Sequence, residues 1–503
     1  MSKGDICCRD TYWKFIYGDK KTVDLSIHGQ YNMTYYKSND KDVIKMNKQD
    51  VKDSKRDLTQ GSVVKKLLGF SIPLVISFFV MQLYNVADSI IVGQFVGPDA
   101  LAAVAAGFPI MMFFNALYMG ISTGATVVIS QLFGAKDAGG LGKASRTTFT
   151  LTLTIATVIT VLGITLTRPF LNLLGTPANI INDSVVYLTI IFAGTLGNLV
   201  YSIGSGVLRG LGDSKWPLYF LLFSSILNIL LDLVFVIVFN WGVPGVALAT
   251  LVAQLASGAF VLARINRGSY GIRFSFRDLG VNGDIARAII RLGLPSGIQS
   301  MAMSAGSMII QSFANRFGST FIAANSTVMR ADGFAFLPMM AIGSAITTFV
   351  GQNIGAGNID RAKKGIKVAA TIIIIIGITM GAVMWFYGSY IIRAFTADAD
   401  VIAIGERGVR TLAWFYCFIG LESCFAGAMR GAGAAVAPMV TTLSANLLRI
   451  PVAYILAVRP HNYMGLFYAM VASMVLGSIL IFLYYLKGNW RNKSIVSRVE
   501  GDA

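Results

Sequence analysis

From Val63 onward the chain alternates long apolar runs with short polar joints. Uncharged blocks recur at Thr147–Thr167, Ser184–Leu208, Leu292–Asn315, Val368–Ile392 and Pro460–Leu486. Each is long enough to cross a bilayer as one helix, for which about 20 residues are needed. The pattern predicts twelve membrane segments: 63–91, 100–131, 145–168, 183–208, 215–239, 243–264, 286–314, 321–350, 364–393, 404–429, 437–458 and 463–487. The fold class is an all-α integral membrane protein.

The pattern occurs twice. Gln131-Leu132-Phe133-Gly134-Ala135 returns as Gln352-Asn353-Ile354-Gly355-Ala356, and Arg209-Gly210-Leu211-Gly212 as Arg430-Gly431-Ala432-Gly433. Gly97 matches Gly318, Ala102-Ala103 matches Ala323-Ala324, and Pro217 matches Pro438, all at one offset of 221. Pro73 with Pro295 and Gly245 with Gly465 fall one residue to either side. Six is an even number, so both copies start on the same side of the membrane. The repeats are therefore parallel, related by a pseudo-two-fold axis along the membrane normal. The expected parts are a polar N-terminal tail (1–60), an N-lobe of segments one to six (61–264), a linker (265–285), a C-lobe of segments seven to twelve (286–487) and a C-terminal tail (488–503). Two pseudo-symmetric six-helix lobes with a cleft between them suit alternating access.

Charge sets the orientation. Lys136, Lys143, Arg146, Arg209, Lys215, the arginines between 264 and 291, Arg361, Lys363, Lys364, Lys367 and Arg430 all fall on one side. The loops Gly97-Pro98-Asp99, Asn240-Trp241-Gly242 and Phe317-Gly318-Ser319 on the other side carry no basic residue. The positive-inside bias puts both termini in the cytoplasm. It also accounts for the net charge of +17 without nucleic acid. Residues 1–60 lack an apolar core of the signal-peptide kind and read as a disordered or loosely helical tail. Met46 would serve as an alternative start, and no role is assigned to 1–45. Four cysteines (Cys7, Cys8, Cys417 and Cys424) have no neighbouring His, so neither a metal site nor a disulfide framework is expected.

Asp88 is the only charged residue between Lys66 and Asp99. It lies about 33 Å of helix beyond Lys66, near the far side of the bilayer core. A carboxylate in lipid costs roughly 2.5–3.5 kcal/mol at a helix centre, so Asp88 is expected to face protein or a wet cavity. Tyr84 precedes it by one turn on the same face. Asp232 is likewise the only charge between Lys215 and Arg264, with Asn228 one turn before it. Asn198 and Thr250 could reach the same cavity. Two carboxylates among amides and hydroxyls can hold H⁺ or Na⁺, which requires no further cofactor or metal.

The second lobe does not copy these acids. The counterpart of Asp88 falls among Ser304, Ser307 and Met308, and that of Asp232 near Ile450-Pro451. The second lobe carries Arg330, Asp332, Glu422 and Arg449 instead. Segments seven and eight are rich in Met and Phe. Met303, Met308, Phe334 and Met339, with Glu422, are the candidate lining of a cavity for varied amphipathic ligands.

The runs Ile72-Pro73, Asn85-Val86-Ala87-Asp88-Ser89-Ile90-Ile91-Val92-Gly93, Gln131 to Lys136, Arg209-Gly210-Leu211-Gly212-Asp213, Asn228 to Asp232 and Arg449-Ile450-Pro451, in this order over about residues 57–487, resemble the multidrug and toxic compound extrusion (MATE) family. The resemblance implies export of organic cations in exchange for H⁺ or Na⁺ across the cell (inner) membrane. It implies that Asp88, Asp232, Tyr84, Asn198, Asn228 and Thr250 form the coupling site, the pattern of the prokaryotic DNA-damage-inducible branch. Other branches place an acid on segment seven, where this chain has Gln299 and Gln311; Glu422 is the remaining second-lobe candidate. A monomer is expected. The competing readings are a flippase for lipid-linked oligosaccharide, which would want a basic cavity, and an integral-membrane enzyme. The chain has only two histidines, His28 and His461, and its only Gly-Lys pair, Gly142-Lys143, continues with Ala144. These facts argue against the enzyme and against an ATP-driven pump.

Overall fold

The computed structural model describes residues 56–267 and 270–495, and three strands near the N-terminus. The strands β1 (Thr22–Ile27), β2 (Tyr31–Ser38) and β3 (Lys41–Met46) pair antiparallel in the order β1-β2-β3. They fall in a compact unit of their own, Met1–Asp57. This sheet replaces the loose or helical tail expected there. Val23, Tyr35, Tyr36, Val43 and Ile44 are β-branched or aromatic, and such side chains favour a pleated backbone. Cys7, Cys8, His28 and residues 496–503 lie outside the described residues.

The second unit is built of helices: α1 (Val63–Ile91), α2 (Pro98–Ala106), α3 (Phe108–Ala135), α4 (Ala138–Leu173), α5 (Ile181–Ala193), α6 (Thr195–Gly210), α7 (Lys215–Leu233), α8 (Gly242–Arg267), α9 (Gly283–Ala314), α10 (Gly318–Gly355), α11 (Ile359–Arg393), α12 (Ala399–Ala413), α13 (Tyr416–Gly431), α14 (Val436–Ala453) and α15 (Met464–Lys487). Nine runs are long and apolar enough to cross a membrane, and the bent pairs α5–α6 (49°) and α12–α13 (50°) bring these to eleven. One of the nine, Gly283–Gly355, holds both α9 and α10, separated by a 3-10 turn at Asn315–Phe317. The crossings among the described residues are thus twelve. Segment two is broken at Gly107, where α2 gives way to α3. Polar side chains start some helices: Asp137 accepts from Gly140 N at 2.8 Å, and Asn282 from Ile285 N at 3.1 Å.

The backbone repeats with the sequence. Left-handed residues pair as Gly97 (φ 115°) with Gly318 (83°), Lys136 (58°) with Gly357 (74°), Gly212 (80°) with Gly433 (93°), and Asn240 (53°) with His461 (52°). Every pair is 221 positions apart. Left-handed φ is uncommon outside glycine, so its recurrence at Lys136, Asn240 and His461 marks two copies of one fold. In the N-lobe α3 packs on α6, α6 on α8, and α1 on α7; in the C-lobe α10 packs on α13 and α9 on α14. A π-turn follows α7 at Val234–Val238 and its counterpart α14 at Tyr454–Val458.

Three helix pairs join the lobes most extensively: α3 with α9, α1 with α10, and α3 with α10 where Gly134 and Gly355 meet the Gln352 and Gln131 backbones; the first two form contrasting seams. At the first, α3 and α9 each bring a Gly-x-x-x-Gly face, Gly120/Gly124 and Gly293/Gly297. A Cβ on Gly120 would stand 2.5 Å from the Gly293 carbonyl oxygen, so the two backbones touch directly. At the second, α1 lays Phe70 and Leu74 against Ala341 and Ala345 of α10. Those two alanines are the counterparts of Gly120 and Gly124. At the basic end the linker docks on the N-lobe: Tyr270 donates to Asp213 at 2.8 Å, and Phe274 stacks on Phe149 at 4.8 Å.

Candidate cation-coupling site

Asp88 and Asp232 come together in the N-lobe, on the packed pair α1 and α7. Their carboxyl groups face each other within hydrogen-bonding reach. An ionised carboxyl only accepts hydrogen bonds, so two carboxyl groups this close repel each other unless one of them is protonated. Oδ1 of each is enclosed by protein and accepts no hydrogen bond from a neighbouring donor. Asp232 is fully buried and Asn228 is 1% exposed. With the Asn228 amide set so that both its ends are satisfied, its nitrogen donates to Asp232 Oδ2 at 3.0 Å and its oxygen accepts from the Thr250 backbone N–H at 3.1 Å. Tyr84 points its hydroxyl at Thr250.

Of the six residues expected at this site, five meet. Asn198 is turned elsewhere: its amide donates to the Tyr118 hydroxyl at 3.2 Å. A residue absent from the expectation takes part instead. Tyr187 on α5, buried at 5% exposure, lies in the same neighbourhood as Asp88, Tyr84 and Asp232. It lies across a 49° bend from Asn198, and as an uncharged aromatic in an apolar run it was singled out by nothing in the sequence. Each acid is also followed by a π-turn, at Val92–Val96 after Asp88 and Val234–Val238 after Asp232, and the two turns touch. Such turns are frequent at functional sites.

The C-lobe has a different polar chain. Arg430 donates to Gln299 at 3.2 Å, Gln299 to Thr442 at 2.8 Å, and Thr442 to Glu422 at 2.9 Å. Glu422 is therefore anchored in a network that ends on a cation. Tyr416 donates a short hydrogen bond to Asp332, which is 2% exposed, while Arg330 on the same helix is exposed. Met303 and Met308 are exposed at 47% and 61%. Phe334 meets Phe79 of α1 at 6.3 Å between ring centroids. Met339 is not a cavity residue: it is 1% exposed and fills the space left by the missing side chain of Gly420. Cys417 and Cys424 are free thiols, and no group of three or more His, Cys, Asp or Glu among the described residues could hold a metal.

The MatE family model matches residues 73–234 and again 295–455, once per lobe. The chain belongs to the MATE family. It is 32% identical over 445 residues to a probable multidrug resistance protein, YpnP, of Bacillus subtilis, covering 86% of this chain and 97% of the relative. It is 25% identical over 446 residues to the probable multidrug resistance protein NorM of Thermotoga maritima, covering 86% and 94%. Among solved structures, a multidrug resistance MATE transporter in an outward-facing conformation superposes with a TM-score of 0.80 at 25% identity, covering 88% of this chain and 97% of that one. The MATE fold thus accounts for both lobes, and membership supports multidrug efflux as the broad activity.

Proposed function

We propose that this MATE protein is a secondary antiporter that expels organic cations as H⁺ or Na⁺ enters, with the Asp88–Asp232 pair as the coupling site. The contact between the two carboxyl groups carries this reading. A pair that shares one proton can release it, and can take up a second proton or a sodium ion among its carboxylate oxygens. Asn228, Thr250 and Tyr84 supply the fixed dipoles around it. An acidic N-lobe site suits a cationic substrate that competes with the coupling ion for the same charge. The basic end, with Lys136, Lys143, Arg146 and the linker arginines, supports a cytoplasmic placement for the ends of α1 and α15 in the cell membrane. Relatives named as multidrug resistance proteins support a transporter rather than an enzyme.

The test is efflux of a fluorescent organic cation from proteoliposomes, driven by a pH gradient alone and then by a Na⁺ gradient alone. Wild-type protein is expected to respond to at least one gradient. Asp88→Asn and Asp232→Asn are each expected to remove the response with the protein still folded. Wild-type rates from either variant would falsify the assignment of the site.

A further inference from the structure

Arg449 on α14 is the 221-residue counterpart of Asn228 on α7. In the N-lobe that position holds the amide beside the acid pair; in the C-lobe it holds a cation. Arg449 Nε is enclosed by protein and meets no acceptor, and no ion pair reaches the guanidinium among the described residues. The two C-lobe acids already have partners, Glu422 in Thr442 and Asp332 in Tyr416. An uncompensated charge in the membrane costs a few kcal/mol, and such residues mark ligand sites.

The surroundings are polar. Arg449 lies on the face of α14 that also carries Asn446 and Thr442, three and seven residues earlier. That face is turned to α9: Gln299 donates to Thr442 at 2.8 Å, and a Cβ on Gly306 would stand 3.2 Å from Asn446 Oδ1. The same helix α9 presents the exposed Met303 and Met308.

We propose that Arg449 anchors a second substrate subsite, in the C-lobe, that takes the carboxylate of amphipathic substrates. A guanidinium fork matches a carboxylate with two parallel hydrogen bonds, and the exposed thioether of Met303, on the face of α9 that carries Gln299 and Gly306, adapts to varied apolar bodies. The duplicated lobes then carry pockets of opposite charge, and zwitterionic compounds join the cations as substrates. This rests on the efflux reading above.

The experiment compares two probes that differ only at the carboxyl: a cationic rhodamine methyl ester and its free acid. Binding to purified protein is read by fluorescence anisotropy, and efflux from proteoliposomes by dequenching. Wild-type protein is expected to take both. Arg449→Gln should weaken the free acid by about tenfold or more, the scale of one charge-assisted hydrogen bond, and leave the ester within about twofold. Arg449→Lys, which keeps the charge but not the fork, should fall between. Equal losses on both probes, no loss on the acid, or a wild-type protein that takes the ester and refuses the acid each overturns the subsite. A wild-type protein that moves neither probe counts against the efflux reading itself, and the subsite falls with it.

Discussion

Gln131 and Gln352 make the same hydrogen bonds in opposite directions across the two lobes. Gln131 on α3 donates to the Gly431 carbonyl at 2.8 Å, and Gln352 on α10 donates to the Gly210 carbonyl at 3.0 Å. Each side-chain oxygen then accepts from a backbone N–H near one end of the helical unit: Ile495 at 2.8 Å for Gln131, and Leu58 at 2.9 Å for Gln352. Both glutamines are fully buried. The segments that lead into α1 and out of α15 are thus tied to one clasp between the lobes.

Removing either glutamine strands a buried carbonyl and a buried N–H, a loss of about 1–3 kcal/mol for each group left unsatisfied. Gln131→Ala and Gln352→Ala should therefore weaken lobe closure at the basic end by similar amounts. Paired spin labels at the ends of α3 and α10 should show a longer-distance population in either variant. Unchanged distances in both would rule out the clasp as a closing element.

The proton proposed to lie between Asp88 and Asp232 predicts a stability signature separate from transport. High pH strips that proton and leaves two carboxylates face to face, so wild-type protein should melt at lower temperature in alkaline buffer. Asp88→Asn has an N–H donor in its place and no proton to lose. Its melting temperature should hold across the same pH range. A wild-type protein that melts identically from neutral to alkaline pH would show that the two groups do not share a proton.

The seam between α3 and α9 admits no side chain at Gly120 or Gly293. Gly293→Ala should lower thermal stability, by about 1–3 kcal/mol as overpacking does. Its contrast is Ala341→Ser on the other seam, which faces side chains able to shift and should change stability by less. The comparison is made by thermal unfolding of the purified variants; a larger loss in Ala341→Ser would reverse the assignment of the tighter seam.

Asp332 tests whether every buried acid here is a coupling acid. Its Oδ2 has no partner, and its Oδ1 depends on Tyr416. Tyr416→Phe should destabilise the fold by about 1–3 kcal/mol through the unsatisfied carboxyl. Gradient-driven efflux by the protein that remains folded should persist. Loss of efflux at full stability would move Asp332 into the transport machinery.

Much of this was readable from the chain. Isolated acids such as Asp88 and Asp232 stand out because a membrane segment tolerates few charges, and the helical spacing that links Asn228 to Asp232 survives in a straight α7. The repeat was visible because turns need glycine, and Gly97/Gly318 and Gly212/Gly433 could not drift. Tyr187 was not singled out and Asn198 is turned to Tyr118: the 49° bend between α5 and α6 re-aims one half of the segment against the other, which helical spacing alone does not show. Met339 looked like its exposed neighbours because an apolar residue reads alike in a core or at a cavity; only the missing Gly420 side chain decides. Arg449 was visible as a charge, but its lack of a partner is a property of three-dimensional packing.

The unlike seams make the two edges of the molecule mechanically unequal. Along one edge main chain rests on main chain, leaving nothing that can rotate out of the way. Along the other, phenylalanine and leucine lie over alanine, and rotamer changes can absorb a shift of the helices. A swing of one lobe against the other would therefore pivot on the glycine edge and open first beside α1. Asp88 sits on α1, the helix that runs along that edge, so a parting of the bundles changes what surrounds the acid pair while the two acids, both in one lobe, travel together.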